Sequence, residues 1–198
     1  NDFSLIATET ATDPATGEIF GEFFKSDLSG HEWGVIDYAT LKRTSIAPAT
    51  HKYVALGIAN DGFAYGVSSD GDLYQIDRTT GTETLKGSTG VQVSDANGKY
   101  YTQSGEFDPR TNEFYWASTD KDGKFQLYTI DLTNGHVTPV GSYPETASVM
   151  ALTFPKAPTA AGAPAAATGI AANFVKAANS GTVTFMAPDK KYDGSSLT

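Results

Sequence analysis

One stretch of this chain occurs twice in the same register, and that self-similarity restricts the fold more than any other feature. Leu73-Tyr74-Gln75-Ile76-Asp77, continuing to Thr80-Gly81, Thr84 and Gly87, falls without a gap on Leu127-Tyr128-Thr129-Ile130-Asp131, Asn134-Gly135, Thr138 and Gly141, about 54 positions on. A weaker copy lies about 40 positions upstream, where Val35-Ile36-Asp37 is followed by Thr40 and Thr44. A second repeated phrase precedes these: Asp13-Pro14-Ala15-Thr16-Gly17-Glu18-Ile19-Phe20 resembles Asp108-Pro109-Arg110-Thr111-Asn112-Glu113-Phe114-Tyr115, with a shorter form in Asn60-Asp61-Gly62-Phe63. Pro presets φ early in such a turn and Gly or Asn accepts positive φ near its end, so each copy predicts a hairpin.

Assembled, one repeat is four short strands joined by tight turns; in the second repeat they fall at about 53–59, 63–67, 73–77 and 82–86. The third repeat runs from about 100 to 140 and the first from about 4 to 46, with residues 148–154 as the opening strand of a fourth. The expected fold is all-β: four-stranded antiparallel blades of β-propeller type, about three plus one strand, with sheet faces buried between neighbouring blades.

These phrases, of which Gly71-Asp72-Leu73-Tyr74-Gln75-Ile76-Asp77-Arg78-Thr79-Thr80-Gly81 is the clearest, resemble the irregular β-propellers of secreted bacterial proteins. The resemblance covers residues 1–155 and carries no Trp-Asp or kelch signature. Residues 156–168 are rich in Ala and Pro and read as a linker. Residues 169–198 then hold two strand-like runs, Ile170-Ala171-Ala172-Asn173-Phe174-Val175 and Thr182-Val183-Thr184-Phe185-Met186, around Ser180-Gly181. They resemble the start of a fibronectin type III-like domain, as in multidomain surface proteins of Bacteroidetes. A whole sandwich takes about 100 residues, so this segment reads as truncated. The blades too imply missing neighbours or a partner chain, because propellers typically close with about 4–8 of them.

Charge excludes one class of partner. A net charge of −9 and only two adjacent basic pairs, Lys42-Arg43 and Lys190-Lys191, argue against nucleic acid, whose phosphates demand clustered cations. No run approaches the ~20 apolar residues of a membrane helix. The absence of Cys removes disulfides and thiolate chemistry.

Chemistry-bearing patterns are sparse. Asp70 and Asp72 flank Gly71, and Asp120 and Asp122 precede Gly123, so two corresponding loops carry an Asp-x-Asp arrangement with oxygens to offer Ca²⁺. The competing reading is the ordinary preference of Asp and Gly for turns. Asp37, Asp77 and Asp131 recur at the end of the third strand of each repeat, where a carboxylate caps a turn. His31, His51 and His136 have no metal-ligand spacing, and no Gly-x-Ser-x-Gly elbow is present. Among the aromatic residues, Tyr101 and Trp116 are the candidates for stacking on a sugar or peptide, against a core-packing alternative. The repeats, the linker and the sandwich-like segment, through the proteins they resemble, imply a non-catalytic binding or scaffold segment of a larger extracellular or cell-surface protein, with a protein or glycan partner and no cofactor beyond Ca²⁺. The alternative is a glycan or peptide hydrolase with its site completed by further blades.

Overall fold

The computed structural model describes residues 7–25, 29–37, 39–40, 42–94, 103–142, 151–154, 168–175, 180–191 and 196. Two compact units divide the chain, Asn1–Phe154 and Pro155–Thr198.

The first unit holds three four-stranded antiparallel sheets, each a simple meander. Blade 1 is β1 (Ala7–Thr12), β2 (Ile19–Phe24), β3 (His31–Asp37) and β4 (Lys42–Pro48). Blade 2 is β5 (Tyr53–Ile58), β6 (Ala64–Ser68), β7 (Asp72–Ile76) and β8 (Glu83–Ser88). Blade 3 is β9 (Ser104–Phe107), β10 (Phe114–Thr119), β11 (Phe125–Ile130) and β12 (Val137–Ser142). The sequence repeat is a structural repeat down to its irregularities. In each blade the ladder between third and fourth strands slips by one residue, at Trp33/Gly34, Leu73/Tyr74 and Leu127/Tyr128. These bulges keep the same spacings as the sequence copies.

Blades stack through their first strands, β1 against β5 and β5 against β9. Blade 2 is therefore covered on both sides, and every residue of β5 and β6 is buried. Alternation of apolar and polar residues vanishes there because neither face meets water. One core fills the seam between blades 1 and 2 with Phe20, Trp33, Tyr53, Leu56, Ile58 and Ile76. A second fills the seam between blades 2 and 3 with Tyr65, Leu73, Phe107, Phe114, Trp116 and Ile130. Fourth strands lie outermost and are the most exposed.

The turns follow the expected chemistry. Asn112 stands at φ 58°, where its counterpart Gly17 stands at φ 78°, so both hairpins close through a left-handed residue. Residues 151–154 form no ladder, while 148–150 lie outside the described residues. In the second unit β13 (Thr168–Val175) and β14 (Ser180–Met186) form a two-stranded antiparallel ladder.

Candidate functional site

Because each blade is a meander, its first and third connections lie at one end and its second at the other. At the first end Asp side chains build the turns. Asp77 Oδ1 accepts the Thr79 and Thr80 amides at 2.9 and 3.2 Å. Asp131 Oδ1 accepts from the Thr133 amide at 2.8 Å, and Asp37 Oδ1 from the Ala39 amide at 2.8 Å. Hydrogen bonds to the ionised form hold all three carboxyls below the usual range. They are turn caps, as the repeat implied.

Between blades 1 and 2 this end opens into a cleft of about 350 Å³, lined by Asp13, Asn60, Asp61, Gly62 and Arg78 among others. Asp13 is buried and receives the Ala15 amide at 2.9 Å, the Thr16 hydroxyl at 2.8 Å and the Arg78 guanidinium at 3.0 Å. Burial opposes ionisation, but those donors and the Arg78 charge outweigh it and keep Asp13 below its ordinary value. Arg78 also lies over the Phe20 ring at 5.9 Å, which orients the guanidinium. On the other wall, Asp61 accepts the Phe63 amide at 2.9 Å and the Tyr65 hydroxyl at 3.0 Å. Asn112 of blade 3 accepts the Asn60 amide at 2.8 Å, so the third blade steadies the second. The cleft thus presents one fixed cation, one fixed carboxylate and an exposed Asn on rigid turns. Such a set suits a ligand rich in hydroxyl or amide groups.

A second cluster is sealed in the same seam. Glu22 is fully buried on β2. Its Oε2 accepts the Thr8 hydroxyl at 2.7 Å and the Tyr53 amide at 2.8 Å, and its Oε1 lies 3.5 Å from His31 Nδ1. Burial, opposed by these hydrogen bonds and by Lys52, lifts the Glu22 carboxyl to about 7. Burial and the Lys52 charge lower His31. Both shifts favour the uncharged forms, a carboxylic acid beside an imidazole, despite their close approach. Further out, His51 Nδ1 meets Glu83 at 2.7 Å and stacks on Tyr74 at 4.1 Å. A third pair lies on first strands: burial, then the neighbouring charge of Glu106, raises Glu9 to about 8, and burial raises Glu106.

Those residues singled out from sequence that the structure describes fall elsewhere. Trp116 is 0% exposed, its ring against Tyr128 at 5.7 Å and its Nε1 donating to Gln103 at 3.2 Å. It is a core residue with no face for a ligand, because the adjoining blade covers what alternation alone would expose. Tyr101 lies outside the described residues. Asp120 Oδ1 accepts the amides of Asp122 and Lys124, each at 2.9 Å, and Asp122 pairs with Lys121 at 3.0 Å. The loop of Asp70 and Asp72 is drawn in by Ser68, whose hydroxyl accepts both their amides at 3.3 Å. Among the described residues no three His, Asp or Glu side chains are grouped to hold a metal ion. Asp120 and Ser68 organise these loops, and among the described residues the four Asp side chains join no metal cluster. Sequence reasoning missed Arg78, Glu22, Glu9 and Glu106. The one available signal was a charge inside the apolar run Ile19-Phe20-Gly21-Glu22-Phe23-Phe24.

No curated protein matches this chain. Among solved structures 22 chains match. One is a crystal structure of a structural genomics protein of unknown function from Bacteroides thetaiotaomicron, similar at a TM-score of 0.52 and 14% identity. The match covers 66% of this chain and 32% of that one, so this chain spans about a third of its length. At that identity the likeness speaks for the fold alone. Residues 32–157, which take in most of the three blades, match a family described as a repeat of unknown function (DUF6923), and the chain belongs to that family.

Proposed function

We propose that this chain is a non-catalytic binding and scaffold segment of a larger extracellular or cell-surface protein, and that the cleft between blades 1 and 2 holds a glycan or a polar peptide. The observation that carries the reading is the rigid polar wall of that cleft, in which Arg78 is fixed by Asp13 at 3.0 Å and Asp61 by two donors. Preorganised polar groups of this kind bind hydroxyl-rich ligands without first being ordered. In the same reading β13 and β14 open a fibronectin type III-like sandwich of the sort appended to propeller-like regions in Bacteroidetes surface proteins. Ca²⁺ has no part in it. Immobilised full chain on a glycan and peptide array tests the proposal. Asn60→Trp, which fills the cleft from an exposed position, is expected to abolish the strongest signals. Binding untouched by that substitution places the ligand elsewhere.

The hydrolase alternative rests on Glu9 and Glu106, two carboxyls with raised proton affinity on first strands. Turnover of a glycan or peptide reporter that is lost in both Glu9→Gln and Glu106→Gln would favour it.

A further inference from the structure

Successive blades are joined by one contact made twice. The turn between the third and fourth strands of a blade inserts against the fourth strand of the blade before it. A Cβ on Gly81 would stand 2.7 Å from the Ala47 methyl of β4, and a Cβ on Gly135 would stand 2.6 Å from the Gly87 carbonyl oxygen of β8. Ala47 and Gly87 hold equivalent places, each paired with the residue before its bulge, Trp33 and Leu73. The third member of the set is Gly141, paired with Leu127. Among the described residues nothing lies within 4 Å of a Cβ built there. Exposure follows the same step. Trp33 and Leu73 are buried, Leu127 is half-buried, and Val140 beside it is 54% exposed.

The inner half of the same face is occupied. Tyr65 of β6 meets Phe107 of the next blade at 5.8 Å with rings tilted 60°. Its counterpart Tyr115 meets Phe154 at 5.0 Å with rings tilted 54°, and the Leu152 amide donates to Ser104 Oγ at 2.9 Å. Residues 151–154 take the place against blade 3 that β9 takes against blade 2.

We propose that Leu127, Val140 and Gly141 form the docking site for the second to fourth strands of a further repeat of this same kind. Residues 151–154 supply the innermost strand of that blade, and its last turn has the form Asp-x-x-x-Gly. Gly is required because the turn residue has positive φ, 69° at Gly81 and 81° at Gly135, and leaves no room for a side chain. A second copy of this chain does not fit. Its first blade carries Asp37 followed by Leu41 where the other blades carry Gly, and its β1 would contend with residues 151–154 for the inner position. The inference stands apart from whatever the cleft binds.

Inserting a copy of residues 108–142 between Phe154 and Pro155 of the full chain tests it, since Phe154 then leads into the copy as Phe107 leads into Asp108. Amide exchange at residues 126–128 and 140–142 is expected to slow by about tenfold or more. Gly141→Trp should cancel that slowing while leaving the melting temperature of the unextended chain unchanged. Unaltered exchange in a folded extended chain, or slowing that Gly141→Trp does not touch, overturns the proposal. Where that extended chain does not fold, residues 59–88 inserted at the same place of the full chain, which follow Ile58 as the insertion follows Phe154, must give the same footprint, and unaltered exchange in the folded product overturns it as well. An unextended chain that self-associates with β12 protected assigns the face to a second copy and refutes the assignment made here.

Discussion

Replacing Glu22 with Gln removes one titrating group from the seam between blades 1 and 2 while keeping the shape and the acceptor that Thr8 and Tyr53 use. The carboxyl holds its proton up to about pH 7 in the folded chain, against an ordinary value of 4.5. Its folded value lies above its unfolded value, so between these two the folded state binds the extra proton, and stability falls as pH rises. The slope approaches about 1.4 kcal/mol per pH unit for one group, and the full difference comes to about 3 kcal/mol. Gln carries no such cost. Urea unfolding of both proteins at intervals from pH 5 to 8 is the assay. The stability of Glu22→Gln relative to the parent should improve by about 2–3 kcal/mol across that span, while His31, lowered by burial, acts the opposite way below about pH 6.5 in the parent. Glu9, raised to about 8, acts in the same direction. The lowered carboxyls of Asp37, Asp77 and Asp131 act oppositely and release their contribution only as pH falls below about 4. A difference that stays flat between about pH 5 and 6.5 would mean that Glu22 is already ionised there, beside a protonated His31, and the pairing of uncharged forms would be wrong.

Three further outcomes follow from the packing. Trp116→Ala empties a fully buried site and strands Gln103, at a cost of about 3–5 kcal/mol by chemical denaturation, whereas Val140→Ala at 54% exposure shifts stability by no more than about 0.5 kcal/mol. Gly17→Ala and Gly81→Ala both place a side chain at positive φ, but only the second runs into another blade. The first should cost about 1 kcal/mol and the second about 2–3 kcal/mol in the same denaturation assay, and equal costs would deny that the turn is wedged. Asp77→Ala removes acceptors from two amides and should lower the melting temperature by a few degrees, with Asp77→Asn restoring most of it.

The blades were legible in sequence because a hairpin is written locally. Turn residues and the strands beside them lie within about ten positions of each other, and a copy 54 positions on confirms the register. Strand ends fall within a residue or two of the expected places, as at Tyr53–Ile58 and Glu83–Ser88. The seams were not legible, because their contacts join residues far apart in the chain. Trp33 Nε1 reaches the Arg78 carbonyl 45 positions away at 3.0 Å, and Glu22 reaches the Tyr53 amide 31 positions away. Trp116 was ambiguous for the same reason, since stacking buries both faces of a blade and strand alternation no longer marks the surface. The Asp-x-Asp loops carry the turn preference that their sequence also offered: Asp120 accepts the amides of its own turn, so that carboxylate serves the backbone.

Repeats within a chain also allow each position to be read against its own counterparts. The bulge register places Glu22, Val67 and Ala117 at one site, opposite Trp33, Leu73 and Leu127. Two blades use an apolar residue there and one uses a carboxyl, so the acid is an exception to what the sheet requires. Arg78 is an exception of the same kind, standing one residue past the capping Asp where the other blades carry Tyr38 and Leu132. The capping Asp itself is common to all three, as are the bulge and the slot on the fourth strand. What recurs builds and stacks the sheets. What departs from the repeat gathers in the seam between blades 1 and 2, where Arg78 lines the open cleft and Glu22 sits sealed within. That separation is the physical reason to seek the ligand at Arg78 and the pH response at Glu22, since neither residue is needed to fold a blade of this type.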